Sequence, residues 1–86
     1  MGSLTFDGIR FVVSSNDRPP RHAHGFLSET EAVVDLRGDG NVALAEREDA
    51  VRPANAKRSD VRKILNCAAV HFEELVALWE SIHGQT

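Results

Sequence analysis

Apolar and polar positions divide this chain into two halves with different periods. In the first half, Ile9, Phe11, Val12 and Val13 concentrate β-forming side chains within residues 8–14, which predicts a strand. It runs into Ser14-Ser15-Asn16-Asp17-Arg18-Pro19-Pro20. This stretch should be a turn or extended loop, because Asn and Asp bond their own backbone and proline fixes φ. A second strand is predicted over residues 21–27. A third, carrying Ala32, Val33, Val34 and Leu36, is predicted over residues 31–37. Gly38-Asp39-Gly40-Asn41 then forms a hairpin turn, since both glycines admit positive φ, and a short fourth strand follows over residues 42–45.

In the second half the period changes. Residues 46–58 read as a polar linker, in which Pro53 biases Arg52 away from helix. Val61, Leu65, Ala68, Phe72, Leu75, Trp79 and Ile82 then recur at alternating spacings of four and three. That places them on one stripe of a helix over about residues 59–83, widened by Ile64 and Val76. Ser59 is the expected N-cap, Asp60 suits the first turn, and Gly84 ends the helix. Neither the sheet nor the helix hides its apolar side alone. The expected fold is α+β: a small antiparallel sheet of three to four strands packed against one long C-terminal helix, in a single domain over residues 1–86. The same helical stripe would also suit pairing with a second copy, so a homodimer is open.

Composition narrows the class. With 86 residues, 42% hydrophobic and 27% charged, the chain can bury one modest core. Cys67 is the only cysteine, so no intrachain disulfide can form, and a reducing, cytoplasmic setting is expected. No apolar run approaches the roughly 20 residues that span a bilayer, and no signal peptide is visible. The net charge of −3 is unevenly spread. Within residues 52–63, Arg52, Lys57, Arg58, Arg62 and Lys63 face Asp60 alone, leaving +4 there and −7 elsewhere. Basic residues at a helix start oppose its dipole, which hints at a contact. Together with Arg18 and Arg21 of the loop, Lys57, Arg58, Arg62 and Lys63 could make an anion-binding surface.

The candidate chemistry centres on His22-Ala23-His24. On a strand, both imidazoles point to one side. They could hold a divalent transition metal, or serve as acid and base near neutral pH. Asp17 is a nearby third ligand. His71 and Glu74, three apart on the helix, are candidates if the helix lies over the pair. Otherwise the histidines hold the loop by hydrogen bonds, and His71 is a boundary residue bonded to Glu74. Cys67 has Lys63 and His71 as helical neighbours, which could lower its thiol pKa, although its mid-helix position favours a buried, inert thiol. Trp79 is expected to anchor the core. No glycine-rich phosphate loop, nucleophile elbow or paired-cysteine motif is present.

The motif set Phe6, Gly8, Ile9, Asn16, Asp17, Pro19, Pro20, His22, His24, Ala32, His71, Glu74, Leu75 and Trp79 spans most of the chain. In it the chain resembles the small bacterial proteins grouped as domain of unknown function 4160. It departs from that pattern at Arg21, Ala23 and Cys67, where the family carries a proline, an aromatic residue and a tryptophan. The resemblance implies a module encoded beside a second small gene, as in toxin–antitoxin pairs, with a protein partner and a toxin that could act on RNA. Three functions are therefore carried forward. The first is a protein-interaction module of such a two-gene system. The second is a ribonuclease-like toxin using the His22–His24 pair, with or without a metal. The third is a nucleic-acid-binding protein without catalysis, which the net charge of −3 disfavours.

Overall fold

The computed structural model describes residues 2–84. Along the chain come β1 (Gly2–Phe6), β2 (Ile9–Val13), β3 (His22–Leu27), β4 (Thr30–Leu36), β5 (Val42–Leu44) and β6 (Val51–Arg52), then α1 (Arg58–Val70) and α2 (Phe72–His83). Every pairing is antiparallel, in the order β1-β2-β3-β4-β5, with β6 on β4 beyond that path. Asp7-Gly8 joins β1 to β2 with φ of 54° and 80°, the pair of positive values that a type I′ hairpin turn needs. The β3–β4 turn places Ser28 at φ 56°.

The α+β expectation holds, but its count does not: among the described residues the sheet has six strands rather than three or four, and two helices stand where one was expected. β1 lies ahead of the first predicted strand, and β6 falls inside the predicted linker. The expected cap is also displaced. Lys57 occupies the N-cap position without a side-chain cap bond, so Ser59 is already helical.

The helix breaks at His71, whose φ of −106° and ψ of 30° leave the α region. Its N–H still reaches the Cys67 carbonyl and its own carbonyl accepts from Leu75 N–H, each at 3.0 Å. The break changes direction. α1 starts at the β3–β4 turn, where Thr30 Oγ1 donates to Asp60 Oδ2 at 3.2 Å. It crosses to the β1–β2 turn, where Cys67 Sγ lies 3.7 Å from the Phe6 carbonyl oxygen. α2 then runs down β1 and β2, bringing Leu78 and Ile82 against Gly2 and His83 against Ser14. A single straight rod could not cross the strands and also follow two of them.

The core lies between sheet and helices. Ile9, Phe11 and Val13 of β2, Ala32, Val34 and Leu36 of β4, and Ile64, Ala68, Leu75 and Trp79 of the helices form its bulk. Helix and sheet approach closely at Gly25, where a Cβ would stand 2.5 Å from Ile64 Cγ2 and 3.0 Å from Phe11 Cε1.

Candidate metal centre

The loop between β2 and β3 is tied at both ends. At its start, Asp17 N–H donates to the Ser14 carbonyl at 3.0 Å, and Ser14 N–H donates to Asp17 Oδ2 at 2.9 Å. The carboxylate is thereby fixed by one oxygen and presents the other. At its end, Arg21 donates from Nε to the Leu36 carbonyl and from Nη2 to the Arg37 carbonyl, both at 3.2 Å. Those bonds lock the loop to the end of β4 and occupy a guanidinium that the sequence suggested for anions.

Strand alternation sends His22 and His24 to one side of β3, and Ala23 and Gly25 to the other. Each imidazole has its Nδ1 spoken for. In His22 it donates to the Pro20 carbonyl at 3.0 Å, and in His24 it meets Glu31 Oε2 at 3.1 Å. A carbonyl or carboxylate only accepts, so these partners put a proton on Nδ1 and leave Nε2 as the atom each ring can offer a metal. Both Nε2 atoms lie near one oxygen: Asp17 Oδ1 is 3.7 Å from His22 Nε2 and 3.6 Å from His24 Nε2. Two atoms bound tetrahedrally to zinc at about 2.0–2.1 Å stand roughly 3.4 Å apart, so the separation needs little adjustment. One ligand atom from each of Asp17, His22 and His24 lies within 4.8 Å of the others.

Around the cluster, His22 is 8% exposed, and its ring sits 5.3 Å from that of His24 and 5.4 Å from Trp79. Trp79 stacks on His83 at 3.8 Å, and His83 Nε2 lies 3.0 Å from the Ser14 carbonyl oxygen. The end of α2 thus buttresses both His22 and the loop. A cleft of about 500 Å³ opens on Asp17, Arg18, Pro20, His22, Asp35 and Arg47. A second hollow of about 480 Å³ reaches His24 beside Arg10 and Phe26.

Other candidates from the sequence lie elsewhere. His71 stacks on Phe6 with ring centroids 3.7 Å apart, and its Nδ1 is 3.1 Å from Glu74 Oε1. That is the turn end of β1 and β2. Asp17 and His22 are at the opposite end of β2, roughly 13–16 Å along a five-residue strand. His71 and Glu74 are therefore not brought to the His22–His24 pair, because the helix break places His71 over the turn rather than over the loop. Nor do the basic residues share one surface. Arg18 lines the cleft, whereas Lys57 sits by the Ser28–Thr30 turn, Arg58 and Arg62 border a groove with Leu44 and Val61, and Lys63 lies near Asp7. Burial pushes the Cys67 thiol up, and the Asp7 carboxylate adds to this, opposite to activation.

Two participants were missed from sequence. Glu31 was readable in principle: the two-residue turn after Leu27 pairs Phe26 with Glu31, which sets Glu31 diagonal to His24. His83 had no such signal, since only the course of α2 brings it to Ser14. Among the described residues, no helix is long and apolar enough to cross a membrane. Comparison with protein-family models, curated proteins and solved structures finds no match for this chain.

Proposed function

We propose that this protein is a ribonuclease-like hydrolase whose centre is a divalent transition-metal site formed by Asp17, His22 and His24. One observation carries the reading: two Nε2 atoms, on rings each held by a partner at Nδ1, converge on a single carboxylate oxygen. A histidine whose far nitrogen is bonded to a carbonyl or carboxylate is the usual form of a metal-ligating imidazole. Three protein ligands leave a position open, and an ion held there would supply an activated water at neutral pH. Arg18 lines the same cleft as His22 and offers a partner for phosphate oxygens. The test is RNA cleavage by the purified protein with zinc or manganese and with a chelator. His22→Ala combined with His24→Ala should abolish cleavage and metal uptake while leaving the circular dichroism spectrum intact. Cleavage that survives chelation would reassign the imidazoles to proton transfer. Cleavage that survives the double substitution would end the proposal.

A second reading, compatible with the first, is a protein partner of the two-gene kind that the likeness to domain of unknown function 4160 suggests. The favouring observation is a groove of about 520 Å³ with Leu44, Val51, Val61 and Leu65 in its lining and Arg58 and Arg62 at its border. Among the described residues, no ion pair involves Lys57, Arg58, Arg62 or Lys63. An apolar floor with unneutralised cations suits an acidic, amphipathic partner segment.

A further inference from the structure

Away from the centre just described, the turn joining β1 to β2 and the break between α1 and α2 meet. Asp7, Cys67 and His71 there each bring one ligand atom within 4.8 Å of the other two. We propose that these three residues form a second metal site, selective for zinc-like ions over magnesium or calcium.

The donor set argues for that class. A sulfur, an imidazole nitrogen and a carboxylate oxygen suit a borderline-soft ion, whereas hard cations take oxygen alone. Cys67 and His71 stand four apart, the spacing at which two side chains on one helical face reach one ion. The third ligand comes from the other end of the sequence, placed by a turn in which Asp7 itself takes φ 54°.

Support around the ligands resembles that of the first centre. Glu74 occupies His71 Nδ1 at 3.1 Å, which leaves Nε2 as the ligand atom. Phe6 fixes the plane of the imidazole by stacking at 3.7 Å with only 7° between the rings. A hollow of about 320 Å³ bordered by Lys63, Asn66 and Val70 gives an ion access and leaves room for a water ligand. A divalent ion bound here would displace the Cys67 thiol proton, which otherwise points to the Phe6 carbonyl oxygen.

The test is cobalt(II) titration of the full chain carrying His22→Ala and His24→Ala, which isolates this site from the first. We expect one equivalent bound, with the near-ultraviolet absorption of a thiolate–cobalt bond and the visible bands of tetrahedral cobalt. Asp7→Asn, which keeps the turn because Asn also tolerates positive φ, should weaken binding by at least about tenfold. Cys67→Ser should remove the near-ultraviolet band. Absence of that band, an Asp7→Asn affinity equal to the parent's, or binding no tighter than that of an unstructured cysteine peptide would each overturn the site. Because the background lacks the first centre, failure of one site leaves the other standing.

Discussion

At the residue scale, the chemistry depends on which nitrogen of each imidazole is occupied. Glu31 matters because it holds His24 Nδ1 at 3.1 Å while touching no other ligand of the centre. Glu31→Gln keeps a side chain of similar size but removes the charge behind the imidazole. Metal affinity at the Asp17–His22–His24 centre should then fall by about 10–100-fold, read by isothermal titration with zinc. Folding stability should change far less, because the pair is half-buried rather than sealed in the core. Gly25 is the opposite kind of residue, with no chemistry and a strict packing demand. Its missing Cβ lets Ile64 and Phe11 close over β3. Gly25→Ala should destabilise the fold by about 1–3 kcal/mol, measured by urea unfolding. The pair His22 and His24 was legible from sequence, since alternation alone puts them on one side of a strand. Their Nδ1 partners were not: the Pro20 carbonyl depends on the loop's path, and Glu31 depends on the β3–β4 register.

At the element scale, the largest departure from the periodic pattern is the break at His71. No proline or glycine marks it, and the apolar stripe runs through it unbroken from Val61 to Ile82. Periodicity records which face is buried, not whether the axis bends, so a stripe that serves two directions reads as one helix. β1 was missed for a different reason. Asp7-Gly8 is a strong hairpin signal, but Leu4 and Phe6 alternate with only two polar residues between Gly2 and Asp7. The segment carrying β6 is held by an exposed pair of ion contacts: Asp49 accepts from Arg47 Nε and from Arg52 Nη2, each at 2.7 Å. The bond from Arg47, then that from Arg52, lowers the Asp49 pKa from 3.8 to about 2. A depressed carboxylate stabilises the fold above its unfolded value and loses that contribution as pH falls through the folded one. The window therefore runs from about 4 down to about 2. Asp49→Asn should lower the urea midpoint slightly at pH 5 and leave it unchanged at pH 1.5, with the difference shrinking in high salt because these groups are exposed.

At the scale of the whole molecule, the histidine cleft and the basic start of α1 lie at opposite ends of the sheet, so they serve separate contacts. If α1 receives an acidic partner, Arg58→Glu with Arg62→Glu should abolish complex formation with a protein that binds the parent chain through this groove, read by size-exclusion chromatography. The same double change should leave zinc binding at Asp17, His22 and His24 intact. A complex that tolerates this charge reversal would place the partner elsewhere, and absence of any complex with the parent chain would remove the partner reading.

By itself the chain's pattern determined the α+β class, four of the six strands, the buried face of the helical half and the pairing of His22 with His24. Each follows from local rules: side chains alternate on a strand and repeat every 3.6 residues on a helix. Tertiary structure alone decided where the helix turns, and with it the company that His71 and His83 keep. His71 went to Phe6 and Cys67, and His83 to Ser14 and Trp79. Those neighbours come from distant parts of the chain, and their meeting depends on how α1 crosses the strands before α2 descends along them. No local periodicity encodes that path, because it is the packing of helices against the sheet that sets it.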